Sequence, residues 1–183
     1  MTIRLVGANP GLRLHRDGGD DEPPVAFVSV WRVDWSAHGK GTAVVLWHAG
    51  HTRVVCARPE LGRWLADGFT RHFPEVRGLP WPEPQVTEAP VDLELDLAAG
   101  MRARAADVEV EITEPLDRRL IRVDEFDLGG VTNQLSTVYV PCRSGMLQIG
   151  GRTVTGVPRV TTSPRPSSTA FLADAEVWSG PGR

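Results

Sequence analysis

Apolar and polar positions alternate with a period of two along most of this chain, and Gly and Pro cut the alternating segments short, which predicts a mainly β protein. The strongest run is 25–35, where Val25, Phe27, Ser29, Trp31, Val33 and Trp35 share one face and Ala26, Val28, Val30, Arg32 and Asp34 the other. A strand of this kind is buried on one face and half buried on the second. A turn at 36–40 leads into a strand over 42–48, which Ala49-Gly50 joins to a strand over 51–57 as a tight hairpin, so the three form a meander. Ahead of them only 3–6 suggests a short strand. Residues 9–24 carry Gly18, Gly19, Asp20, Asp21 and Glu22 without an apolar period and predict a surface loop, part of a partly mobile N-terminal arm over 1–24.

From Pro59 the period changes to that of a helix, because Leu61, Trp64, Leu65, Phe69 and Phe73 recur on one face, Pro59 suits a first turn and Pro74 is a stop. The predicted helix, 59–73, covers a sheet face or an open barrel end. Pro74, Pro80, Pro82, Pro84 and Pro90 then hold 74–90 extended as a strap. Clean alternation returns with Val91, Leu93, Leu95 and Leu97 against Asp92, Glu94 and Asp96, and with Val108, Val110 and Ile112 against Asp107, Glu109 and Glu111. Further strands are expected over 119–128, 134–141, 146–149, 152–157 and 170–178, with Gly129-Gly130 and Gly150-Gly151 at turns and 163–168 as a loop. About nine or ten short strands at such spacing indicate a sandwich or a closed antiparallel barrel, closure being one way to remove exposed edges. The expectation carried forward is a single antiparallel β-barrel domain over 1–183 with one covering helix.

The chain's 183 residues, 41% of them hydrophobic, suffice for one core without staples, and the formal charge of −3 is mild. No Lys/Arg cluster offers a footprint for nucleic acid or an anionic membrane. No apolar run approaches the roughly 20 residues of a membrane-spanning helix, and the first residues lack a signal-peptide pattern, so a cytoplasmic location is the default expectation. The composition leaves a homodimer open. Cys56 and Cys142 are the only cysteines and read as two buried free thiols, although they could pair with each other.

Motifs for cofactor chemistry are sparse. His48 and His51 flank the hairpin turn and would sit on paired cross-strand positions, but no third or fourth metal ligand lies nearby in sequence, and a solvent-exposed hairpin tip is the simpler reading. The glycine pairs lack the context of a phosphate or dinucleotide loop, and no Gly-x-Ser-x-Gly is present, so neither a metal nor a nucleotide cofactor is expected. Cys142 lies beside Arg143 at a strand end, where a structural thiol again outweighs a reactive one.

Carboxylates are the more informative group. Ile121, Val123, Glu125 and Asp127 share one face by alternation, while Leu120, Arg122, Asp124, Phe126 and Leu128 share the other, and alternation alone does not say which is interior. Near the C-terminus Phe171, Ala173, Ala175 and Val177 make a small apolar face, and Leu172, Asp174, Glu176 and Trp178 the opposite one. If that second face lines a lumen, Asp174 or Glu176 is a candidate general acid with a pKa raised by burial; if it faces water, both are solubilising charges. Six Trp stand against a single Tyr, and Trp31, Trp35, Trp47 and Trp178 all fall on predicted strands, where they either fill a core or line a pocket for an apolar ligand.

The run Gly145-Met-Leu-Gln-Ile-Gly150-Gly151-Arg-Thr-Val-Thr-Gly156, followed after a loop by Ala173-Asp174-Ala175-Glu176-Val177-Trp178, resembles the closing strands of lipocalin-like barrels and, more narrowly, of the carotenoid hydratase-like group. The resemblance covers about thirty-five residues, and it implies a barrel with an apolar cavity and acid catalysis on a polyene, terpenoid or polyketide-like substrate of secondary metabolism. The leading functional expectation is therefore cofactor-independent cyclisation, isomerisation or hydration inside a barrel, with Glu125, Asp127, Asp174 and Glu176 as acid or base and Trp31, Trp35, Trp47 and Trp178 as substrate-binding walls. The alternatives are a non-catalytic carrier with the same cavity and an interaction domain with a filled core.

Overall fold

The computed structural model describes residues 2–16 and 22–180. In chain order its elements are β1 (Ile3–Ala8), β2 (Gly11–Leu14), β3 (Ala26–Ser36), β4 (Gly41–His48), β5 (His51–Cys56), α1 (Pro59–Gly68), β6 (Gln85–Glu88), β7 (Val91–Asp96) and β8 (Gly100–Ala105). There follow β9 (Val108–Pro115), β10 (Arg119–Leu128), β11 (Val131–Ile149), β12 (Arg152–Thr153), β13 (Val160–Thr161), β14 (Ser167–Ser168) and β15 (Ala170–Ser179). Two single turns of 3-10 helix, Thr70–His72 and Pro74–Val76, follow α1. The protein is thus mainly β with one α-helix.

Thirteen strands form one large sheet in the order β6-β5-β4-β3-β1-β15-β11-β9-β8-β7, with β2 between β3 and β15, β10 and β12 on β11, and β13-β14 as a separate hairpin. Every pairing is antiparallel except β5–β6, so the sheet is mixed, and among the described residues no ladder joins its ends at β6 and β7. The nineteen-residue β11 ties the two parts together: residues 133–141 pair with β15, and residues from Cys142 to Ile149 pair with β9.

Two cores result, one on each face of the β3–β5 meander. On the first face Val28, Val30, Val44, Leu46 and Val55 pack with Met101, Ala103, Val110, Ile112 and Leu147, so the sheet folds back on itself. On the second, Trp31, Val33, Ala43, Val45 and Val54 pack with Leu61, Leu65 and Ala66 of α1, with Phe69, and with Leu128 and Val177. The helix exists because Leu61 and Leu65 recur on the face turned to β5 while Pro59 begins it, and it ends at Gly68 rather than at 73. Phe69 and Phe73 still pack against the second core from the tighter turn that follows.

Several expectations need correction. Residues 11–14 are not part of a surface arm but a buried strand, Leu12 and Leu14 being fully withdrawn from water; the four residues from Gly11 to Leu14 are too few to show a period. The remainder of the predicted arm at 17–21 lies outside the described residues. The strap at 74–90 contains β6, a parallel edge strand on β5. The segments 134–141 and 146–149 are one continuous strand, residues 154–157 continue no strand after Thr153, and part of the 163–168 loop is β14. Strand β8 escapes notice in the sequence because its inward side chains beyond Met101 are only Ala103 and Ala105. Among the described residues no helix is long and apolar enough to cross a membrane.

Gly7 sits where the β1–β3 register shifts, and a Cβ there would lie 1.9 Å from the Arg32 carbonyl oxygen. Gly7→Ala must push two backbones apart, and the expected loss is about 1–3 kcal/mol in a urea titration. Gly68→Ala, whose added methyl would meet nothing nearer than 3.7 Å, is the control and is expected to leave stability within about 0.5 kcal/mol.

Candidate functional site

The second core is not filled to its end. Between the sheet and the turns after α1 lies a pocket of about 630 Å³, within the size range of small-molecule sites. Its floor is the small apolar face of β15, Phe171, Ala173, Ala175 and Val177, continued by Leu135, Thr137 and Tyr139 of β11 and by Ile121, Val123 and Phe126 of β10. Leu5, Asn9 and Trp31 close one side, and Phe69, Phe73, Pro74 and Glu75 form the roof. Small side chains at 173 and 175 leave the space that larger ones would occupy.

A bulge in β10 shapes this wall. Val123 opposes Leu135, but the next pairing is Phe126 with Asn133, so β10 gains one residue on its partner between them and its inward face switches from odd to even positions. Ile121, Val123, Phe126 and Leu128 therefore all turn inward, and Glu125 and Asp127 turn out.

Polarity is segregated along the pocket. The end near Val177 is walled by Leu5, Phe69, Phe126 and Leu135, whereas the end near Phe171 gathers Arg13, Glu75, Tyr139, Arg159 and Ser167 to Thr169. That polar end is tied together by its backbone. Arg13 donates its N–H to the Thr169 carbonyl at 2.8 Å, and the Thr169 hydroxyl donates back to the Arg13 carbonyl at 2.7 Å. The Tyr139 hydroxyl donates to the Ser168 carbonyl at 3.0 Å, with the Arg119 guanidinium 4.9 Å above its ring. At mid-pocket the Trp31 indole N–H donates to the Thr70 hydroxyl at 3.2 Å, holding the ring against Phe69 and Phe73.

Burial pushes the Glu75 carboxyl above the ordinary carboxylate range, an effect the Arg13 charge offsets only in part. Arg13 itself donates to the Glu75 backbone carbonyl at a long 3.4 Å, and its Nε is buried without a partner. Beside them His15 is 2% exposed and has its pKa depressed to about 4, first by burial and then by the charges of Arg159 and Arg13.

The structure places the sequence-predicted acids elsewhere. Glu125, Asp127 and Glu176 are exposed; Asp127 accepts a hydrogen bond from the Gly130 N–H in the turn to β11. Asp174 is half-buried on the outer face, where Arg32 pairs with it at 3.3 Å. The small apolar face of β15 is the inward one and the acidic face the outward one, because the roof residues can cover only one side of the strand. Of the four tryptophans Trp31 lines the pocket. Trp47 is buried but directed to the strap, its indole N–H donating to the Pro80 carbonyl at 2.8 Å, while Trp35 is 48% exposed and Trp178, half-buried, lies outside the lining.

The polar residues that do line the pocket had little signal in the sequence. Arg13 stands between two leucines in a four-residue strand, and Glu75 is a single acid between Pro74 and Val76 in the strap. His48 and His51 are direct cross-strand partners, as the hairpin predicts, and among the described residues no group of three His, Cys, Asp or Glu side chains converges. Cys56 and Cys142 are free and buried, and burial raises both thiols, Cys142 to about 11. No protein-family model, curated protein or solved structure matches the chain.

Two titrations follow from these environments. The folded pKa of Glu75 lies above its unfolded value, so its contribution to stability is present below the unfolded pKa and lost as pH rises through the folded one. Glu75→Gln is expected to melt higher than the parent at neutral pH, with the difference vanishing at the acid end of a thermal-shift series. His15 has the opposite sign for acid: the unfolded imidazole takes its proton near 6.5 and the folded one only near 4, so stability falls as pH drops across that window. His15→Leu, which cannot protonate, is expected to flatten that part of the profile, and a histidine NMR titration should show the His15 ring neutral at pH 5.

Proposed function

We propose that this protein binds an elongated apolar small molecule in the pocket between β15, β10–β11 and the turns after α1, using its curled sheet as a lipocalin-like barrel uses its wall. The observation that carries this reading is the unfilled continuation of the second core. About 630 Å³ of space is bounded by Trp31, Phe69, Phe73, Phe126 and the deliberately small Ala173 and Ala175, where a filled-core interaction domain would have large side chains. A single strand of apolar contacts runs from Phe171 to Val177, so the ligand lies along β15.

A second reading is favoured by one residue. Glu75 reaches the pocket with a carboxyl group that burial biases toward its neutral form, so a cofactor-independent isomerase, cyclase or hydratase would have its general acid there. In that reading the catalytic role passes from Glu125, Asp127, Asp174 and Glu176, which face away from the pocket, to Glu75, and Trp31 remains as a wall.

Binding is tested with the neutral dye Nile red. Saturable fluorescence enhancement at one site per chain is expected, and Ala175→Phe, which fills the middle of the pocket, should abolish it while leaving the far-ultraviolet circular dichroism unchanged. Dye binding that survives this substitution would place the site elsewhere.

A further inference from the structure

The polar end of the pocket holds a guanidinium with an unmet requirement. Arg13 lines the pocket, is half-buried, and is fixed at its backbone by the two hydrogen bonds to Thr169. Its side chain makes one long hydrogen bond to a neutral carbonyl, and its Nε is withdrawn from water without any acceptor. Among the described residues no carboxylate oxygen lies within 4.0 Å of it. Three other guanidiniums are paired with carboxylates: Arg119 with Asp117, Arg53 with Asp107 and Arg102 with Glu111. A desolvated cation is costly unless a counter-charge completes it, and here the space beside it is the ligand pocket.

Resting on the binding function proposed above, we infer that the ligand is an apolar monocarboxylic acid whose carboxylate is held by Arg13, with its tail running along β15 toward Val177 and Leu5. The planar fork of a guanidinium matches a carboxylate with two parallel N–H donors, and an incoming carboxylate satisfies the orphaned Nε. The distance fits as well. From Phe171 to Val177 the strand rises about 20 Å, comparable with an extended palmitoyl chain, and the wall changes from polar to apolar over that length. A single carboxylate can share a proton with Glu75, whose burial favours the protonated form, and the Arg159 charge at the same end of the pocket adds to the attraction for an anion.

The test is displacement of Nile red by matched acid and alcohol pairs: palmitic acid against cetyl alcohol for a straight tail, and retinoic acid against retinol for a branched polyene. At least one acid is expected to displace the dye about tenfold to a hundredfold more effectively than its alcohol, the range of a charge-assisted hydrogen bond. In Arg13→Met that preference should disappear, the acid losing far more than the alcohol. The comparison of acid with alcohol on the unaltered protein stands even if Arg13→Met fails to fold. Equal displacement by acid and alcohol in both pairs, or equal weakening of both by Arg13→Met, would overturn recognition of the head group and leave the apolar pocket intact. Failure of Nile red to bind would instead overturn the binding function itself. The pair that shows the preference identifies the tail.

Discussion

Both faces of β3 and β4 are withdrawn from water, Val28, Val30, Val44 and Leu46 on one and Trp31, Val33, Ala43 and Val45 on the other, and strands of this kind persist only if each face is given its own cover. The returning strands β7–β9 and the distal part of β11 cover much of the first face. The second is covered by a ten-residue helix and two short turns, which reach the meander but cannot also roof the whole of β1, β15 and β11. The pocket is the part of that face left over. Its existence follows from the mismatch in size between a wide sheet and a short helix.

The sheet could not supply both the first cover and the pocket wall without β11. Nineteen residues long, it pairs with β15 and β10 at one end and with β9 and β12 at the other, so one strand belongs to two layers. A strand of this length carries the usual twist, and the change of neighbours near Pro141 and Cys142 is where the two layers diverge. The bulge in β10 then turns Phe126 and Leu128 toward the pocket and completes an apolar wall that strict alternation would have interrupted with two carboxylates.

Electrostatics give the pocket a direction. Charged groups are gathered at the end where β2, the strap and the β13–β14 hairpin meet, and the opposite end is lined by apolar side chains. The low polarity of the surroundings keeps His15 neutral, biases Glu75 toward its protonated form and leaves Arg13 as a cation with little local compensation. Binding along β15 and recognition of one polar head are therefore two aspects of a single arrangement, in which shape selects the tail and an incompletely satisfied charge selects the head.

The meander β3–β5, the helix from Pro59, and the hairpins at Ala49-Gly50 and Gly129-Gly130 were legible in the sequence, because each rests on local periodicity or turn chemistry. Whether a strand tryptophan fills a core or lines a pocket was left open by the sequence, and Trp31 does both. Which face of β10 and β15 is interior was not legible: on β10 alternation fails at the bulge, and on β15 both faces carry apolar residues, so only the position of the roof decides between them. The same is true of Arg13 and Glu75, which are sixty-two residues apart and meet only because β2 is buried beside the strap. Local pattern determined that this chain would be built of strands and one helix. Where the unfilled space lies, and which charges face it, depended on how far a short helix extends over a broad sheet, a question of packing between distant segments that no local pattern encodes.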